Sequence, residues 1–306
     1  MSKLLYGIID IGSNTVRMNV YSYDKKHFSK IFSEKETLGL IAYVKDNKLP
    51  KKAIKKLINV LKNMQKDLKV LHIHDFTAFT TASIRNVDNS DEVVQCVKDA
   101  IGMDVSILPS EDEAKLSFIG AKKNCSKKDG VVIDSGGGST EIVIYENNKV
   151  IESYSMPIGS LNLFNEYVSH ILPNAKEKKL IELRVFKEIE KLNIKYDKKI
   201  PFMCGVGGTI RAVNNMLSEL GLLKKKDCIP VEMLTELDGK LSNGDRSSYD
   251  IILHVKPSRI HTVVPGLLIF KVLTKYFGCN EIQVSKFGVR EGFFIENVYK
   301  KYINDN

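Results

Sequence analysis

Asp134-Ser-Gly-Gly-Gly-Ser-Thr-Glu141 sets a carboxylate at each end of a run of three glycines. Glycines let the backbone approach an anion closely, and successive peptide N–H groups in such a turn form a concave donor surface. Ser139 and Thr140 add hydroxyls. The pattern suits phosphate groups cradled at Gly136, Gly137, Gly138, Ser139 and Thr140. Asp134 and Glu141 then stand where Mg²⁺ (or Mn²⁺) is held between carboxylates, waters and phosphate oxygens. The bland alternative is a glycine-rich hairpin with charged ends.

A second segment has the same design. Gly7–Tyr21 aligns without a gap on Val131–Tyr145, at an offset of 124 residues. Asp10 falls on Asp134, Gly12 on Gly136, and Arg17 on Glu141. Gly12, Ser13 and Asn14 offer a phosphate cradle, and Arg17 is placed to reach a phosphate across a cleft. A third glycine turn, Gly205-Val-Gly-Gly-Thr-Ile-Arg211, leads from a short apolar run into a helical one. Gly207, Gly208 and Thr209 there would present the free N–H groups of a helix N-terminus to an anion. Glu111-Asp-Glu113 opens a helix, where acids ordinarily just complement the helix dipole. Arg85 follows a strand in the turn Ala82–Arg85. The six histidines offer no Ser/His/Asp arrangement, and His72-x-His74 lacks a third ligand.

Each of the two repeats reads as strand, turn, strand, which implies a duplicated α/β unit with the two turns facing each other. Pro50–Lys69 has helical apolar spacing, and Ser90–Ile101 and Ser110–Ala121 read as helices. Phe76–Thr81 and Val105–Leu108 read as strands. In the second half, 161–170, 176–192, 263–276 and 288–302 read as helices, and 201–204 and 281–285 as strands. The basic stretch 122–129 is the expected linker, giving units 1–125 and 126–306.

The 306 residues are 43% hydrophobic and 27% charged, which is a globular composition. No apolar run approaches the roughly 20 residues of a membrane span, and no cleavable leader is read at the N-terminus. Five scattered cysteines without a CxxC imply reduced thiols in a cytoplasmic protein and no zinc site. The net charge of +9 points to a polyanionic partner. Only seven of the 46 basic residues are Arg: Arg17, Arg85, Arg184, Arg211, Arg246, Arg259 and Arg290. A Lys-rich chain that keeps a few Arg has reason to place them where a planar, two-pronged donor is needed. Aromatic residues do not interleave with the basic runs, which argues against nucleic acid.

These motifs, in this order, resemble the exopolyphosphatase/guanosine pentaphosphate phosphatase family of the actin-like ATPase superfamily. The resemblance extends through Pro157-Ile-Gly159, Val264–Leu268 and Ser285–Gly292. It implies two ribonuclease-H-like α/β domains with the active site between them, and a final helix packed back on the first. It implies Glu113 as catalytic base, Asp134 and Glu141 as the metal-binding carboxylates, and Arg85 as a grip on phosphate. The family's more usual Glu-Glu-Ala is Asp112-Glu113-Ala114 here. The chain resembles the short, two-domain members, without the further helical region of the longer ones. The expected activity is hydrolysis of a terminal phosphoanhydride of inorganic polyphosphate, or of guanosine pentaphosphate. An actin-fold small-molecule kinase and a non-catalytic polyanion binder are the competing readings. A homodimer is implied by resemblance alone.

Overall fold

A computed structural model describes residues 3–241 and 246–305. The first half builds β1 (Leu4–Ile11), β2 (Thr15–Tyr23), β3 (Phe28–Thr37), α1 (Lys51–Val70), β4 (Phe76–Thr80), α2 (Ala82–Arg85), α3 (Ser90–Ile101), β5 (Val105–Ile107) and α4 (Ser110–Ala121). The second half builds β6 (Gly130–Ser135), β7 (Thr140–Glu146), β8 (Lys149–Met156), α5 (Ser160–Tyr167), α6 (Ala175–Lys191), β9 (Phe202–Val206) and α7 (Gly208–Glu219). It continues with β10 (Cys228–Pro230), α8 (Glu232–Lys240), α9 (Arg246–Val255), α10 (Val263–Phe277), β11 (Glu281–Val284), α11 (Val289–Phe294) and α12 (Lys300–Asp305). A π-helical stretch, Ile295–Tyr299, joins the last two.

The duplication is visible in the sheets. The first has the order β3-β2-β1-β4-β5, the second β10-β11-β9-β6-β7-β8. In each, a three-stranded antiparallel meander is extended by parallel strands, β4 on β1 and β9 on β6. The outer meander strands β3 and β8 are not apparent from the sequence. Both are largely exposed, so neither carries the alternation of a half-buried strand. Residues 82–85, read as a turn, close into a single helical turn.

One face of the first sheet is covered by α1, whose Ile54, Leu57, Leu61, Met64 and Leu68 all point inward at helical spacing. The other face is covered from the far end of the chain. Phe294 of α11 stacks on Tyr21 at 4.5 Å, and Phe293 on Phe79 at 5.2 Å. Helix α4 does the reverse. It precedes the linker, yet its Ala114, Phe118 and Ala121 pack on Val132, Val143 and Cys204 of the second sheet. The two halves thus exchange one helix each.

The exchanged helices cross at van der Waals distance, and glycine makes that possible. A Cβ on Gly292 would lie 1.8 Å from the Leu116 carbonyl oxygen, and one on Gly120 2.1 Å from that of Gly288. Nothing but hydrogen fits at either place. Among the described residues no helix is long and apolar enough to cross a membrane.

Gly292→Ala should therefore destabilise the protein by about 2–3 kcal/mol, because backbone rather than a movable side chain blocks the methyl. Gly239→Ala, in α8 with open space around it, should be neutral or stabilising by up to about 1 kcal/mol. Urea denaturation of both variants checks this. Equal midpoints would mean that the crossing does not depend on glycine.

Candidate active site

The two repeat turns meet head to head. Each is closed by the same bond, Gly12 N–H to Thr15 O at 3.0 Å and Gly136 N–H to Ser139 O at 3.0 Å. A Cβ on Gly137 would come within 3.3 Å of Ser13 and Asn14, and one on Gly138 would clash with Ser13 Oγ. Gly137 and Gly138 thus let the two turns nest. The first turn of α5 ties the triplet down from behind. Ser160 N–H donates to Gly136 O at 3.0 Å, Leu161 N–H to Gly137 O at 2.9 Å, and Asn162 Nδ2 to Gly138 O at 3.2 Å. In a trans peptide the N–H points opposite to the carbonyl, so the loop's amides are turned away from α5.

A cavity of about 130 Å³ lies between the halves. Gly12, Ser13, Asn14 and Arg17 line it from the first turn, and Gly136, Gly137, Gly138 and Ser139 from the second. Gly207 and Gly208 line it from the N-terminus of α7, and Glu113 and Asp134 supply carboxylates. Gly207 has φ 107°, and a Cβ there would strike Ser135 O. Only glycine makes this turn.

Four residues stand elsewhere. The Thr140 hydroxyl donates to Ile158 O at 2.8 Å and is fully buried, so it faces the core and not phosphate. Thr209 is turned against Gly266 of α10 and does not line the cavity. Glu141 lies opposite Asp134 on β7, beneath the cavity, and its Oε1 accepts from Ser155 Oγ at 3.1 Å. Arg85 also lies outside the lining. Its Nη1 donates to Glu113 Oε2 at 2.7 Å and to Leu108 O at 2.8 Å. Its immediate partner is thus the carboxylate of Glu113.

The structure adds residues that were not singled out as site residues. Asp10, Arg211, Arg259 and Arg290 all line the cavity. Arg290 Nη1 donates to Asp10 Oδ2 at 2.5 Å, crossing from α11 to β1. Arg211 Nη1 donates to Lys286 O at 3.1 Å, and Arg259 lies against Gly208. The scarcity of Arg was the available signal. Five of the seven arginines lie at or beside this cavity, leaving Arg184 and Arg246 on helix surfaces.

The charges are set against one another. Burial, followed by repulsion from Arg290 and Arg211, pulls Arg17 down to about 10. Burial and Arg17 pull Arg259 down to about 10. Both remain cations at neutral pH; Asp10 and Glu291 partly offset the pull on Arg17, and no carboxylate offsets it on Arg259. Among the carboxylates, burial pushes Glu113 up to about 7, against the pull of Arg85 and with the help of Asp134 and Asp10. Burial holds Asp134 above its usual range, opposed by the hydrogen bond from Ser117 Oγ at 2.6 Å. Glu141 is held well above the carboxylate range, by burial first and then by Glu113 and Asp134. A buried carboxyl near neutrality, facing a cluster of guanidiniums and glycine amides, can move a proton beside a bound polyanion.

The model of the Ppx/GppA phosphatase family matches residues 19–301. The chain belongs to that family, and with it to the phosphoanhydride hydrolases. It is 22% identical to exopolyphosphatase 1 of Mycobacterium leprae, over 95% of this chain and 89% of that one. It is 25% identical to a bifunctional 3-dehydroquinate synthase/phosphatase of Fusobacterium nucleatum, over 98% of this chain but only 47% of that longer protein. The crystal structure of the Aquifex aeolicus family member superposes with a TM-score of 0.78 at 24% identity, covering 98% of this chain and 99% of that one. An exopolyphosphatase structure from Cytophaga hutchinsonii gives 0.82 at 20% identity, with coverages of 95% and 97%. The fold is that of these structures, the two-domain actin-like ATPase fold.

If Arg85 opposes the upward push on Glu113, Arg85→Met should raise the Glu113 midpoint above 7 by about one unit, since loss of a cation favours the protonated carboxyl. A carboxyl-carbon NMR titration of wild type and variant checks it. An unchanged midpoint would uncouple the two groups.

Proposed function

We propose that the chain cleaves the terminal phosphoanhydride of inorganic polyphosphate with water, releasing orthophosphate. The observation that carries this reading is the makeup of the cavity. Among the described residues its wall is glycine, serine, threonine, asparagine, arginine and carboxylate, with no aromatic residue and only Val206 and Val289 as sizeable apolar ones. That suits phosphate groups and offers no flat apolar surface for a nucleobase. It favours polyphosphate over guanosine pentaphosphate, and a hydrolase over an ATP-dependent kinase.

Glu113 is the base in this reading. It is 7% exposed, and it lines the cavity from the first turn of α4. A carboxyl with a midpoint near 7 is matched to taking a proton from water at neutral pH. The arginines and the loop amides meet the charge on the oxygens of the phosphoryl group in flight. In this reading water attacks directly, with no covalent intermediate on the chain.

Mg²⁺ or Mn²⁺ fits the donor chemistry, because such ions need few protein oxygens when phosphate and water complete the shell. Asp134 and Asp10 would hold it, since both line the cavity. Glu141, buried beneath and hydrogen-bonded to Ser155, is better suited to supporting its neighbours than to ligation. Among the described residues no group of three or more His, Cys, Asp or Glu forms a ready-made metal cage. The ion would neutralise charge on the phosphate oxygens.

Phosphate release from polyphosphate, guanosine pentaphosphate and ATP, measured side by side, tests the reading. Polyphosphate should give the highest kcat/KM. Glu113→Gln should fold normally and lose at least ~100-fold in kcat. Excess chelator should abolish turnover, and Asp134→Asn should raise the metal concentration needed. Faster release from guanosine pentaphosphate would reverse the substrate order. A folded Glu113→Gln variant with normal turnover would remove Glu113 as base.

A further inference from the structure

Asp10, Glu113 and Asp134 line the cavity together with Arg17 and Arg259. Asp10 on β1 is the cross-strand partner of Arg17 on β2, and from Arg17 the positive charge continues outward. Lys35 on β3 is the direct cross-strand partner of Arg17 on β2, so both side chains rise from the same face of the first sheet. Lys256, from the other half, immediately precedes the 3₁₀ turn Pro257–Arg259, and its carbonyl accepts from Arg259 N–H at 2.9 Å. Among the described residues none of Arg17, Lys35, Lys256 and Arg259 forms an ion pair with a carboxylate. Apart from burial, the influences on Lys35 are the charges of Arg259, Arg17 and Lys256, which hold its ammonium below its ordinary range. Cations from two separate halves are thus brought together, and among the described residues no carboxylate figures in the charges acting on Lys35 or Arg259.

We propose that Lys35 and Lys256 form the two walls of an exit track, which holds the phosphates of a polyanionic chain behind the one presented to Glu113. This rests on reading the chain as a polyphosphate-cutting enzyme, and it adds a direction. The terminal phosphate lies beside Asp10 and Glu113, and the rest of the polymer leaves past Arg17 and Arg259 between β3 and the 3₁₀ turn. A short anion is served by the cavity alone, and positive charge outside it serves an anion that extends beyond it. The denser lysine cluster, Lys224–Lys226, is not part of the track. It lies past the far end of α7, whose 12 residues span roughly 18 Å from the cavity, beyond the screening length of about 10 Å.

Equilibrium binding of triphosphate and of long-chain polyphosphate tests the track, at two salt concentrations. Wild type, the double variant Lys35→Ala/Lys256→Ala, and a Lys224/Lys225/Lys226 triple alanine variant are compared. In the double variant the ratio of long-chain to triphosphate affinity should fall about tenfold. The salt dependence of long-chain binding should become shallower by about one to two phosphate contacts. The triple variant should keep the wild-type ratio. An unchanged ratio in the double variant, or an equal fall in the triple variant, overturns the track. Phosphate release by wild type is scored separately. Long chains that bind through Lys35 and Lys256 but are not cut leave the track standing and refute the hydrolysis. No binding of long chains by wild type refutes both.

Discussion

The close crossing of α4 and α11 is the constraint on which the rest depends. Two helices normally pack with axes 8–10 Å apart, held off by their side chains. Here Gly120 and Gly292 remove the side chains at the contact, and backbone meets backbone. The crossing has to be close because both helices begin at the cavity. Helix α4 delivers Glu113 and the Ser117 hydroxyl that holds Asp134, and α11 delivers Arg290 onto Asp10. Moving the helices apart by the width of a methyl would draw apart the carboxylate and guanidinium sides of one site. Glu291 secures the same joint. Its buried carboxylate accepts from Tyr21 Oη at 2.9 Å and from Gly288 N–H at 3.1 Å, so the start of α11 is bonded to β2 as well as packed on it.

The site is preorganised at a cost. Burial, and then repulsion between guanidiniums, pulls Arg17 and Arg259 down. The carboxylates are pushed the opposite way by burial and by one another. Each set lacks what a phosphate chain and a divalent cation would bring, so binding relieves a stress that folding has imposed. The stress is tolerated because rigid elements hold it: two hairpin turns nested through glycine, and a helix N-terminus behind a residue at φ 107°.

Much of this was legible in the sequence. The repeat at Asp10–Arg17 and Asp134–Glu141 is a covalent record of two equivalent hairpins, and the structure pairs Asp10 with Arg17 and Asp134 with Glu141 in the same register. Glycine turns were readable because few other residues serve there. What could not be read was where a side chain points when its neighbours come from far away in sequence. Thr140 and Thr209 have the composition of phosphate ligands, yet their hydroxyls turn inward because Ile158 and Gly266 lie behind them. Arg259 sits in no glycine motif, and only the apposition of its 3₁₀ turn on the α7 N-terminus brings it to the cavity. The outer strands β3 and β8 escaped notice because their exposed faces carry no pattern.

The exchange of helices between the halves also bears on the order of synthesis. Tyr21, Phe28 and Phe79 are made long before the aromatic residues that cover them, Phe293, Phe294 and Tyr299. On the ribosome, the part of the first sheet that lies beneath α11 therefore stays bare until α11 has been made. Such a surface is a natural target for a holdase chaperone and a natural source of aggregates when none is at hand. Docking of α11 ends that exposure and, in the same movement, carries Arg290 to Asp10. Completion of this core and completion of the cavity are thus one event, and a nascent chain has neither until α11 is free.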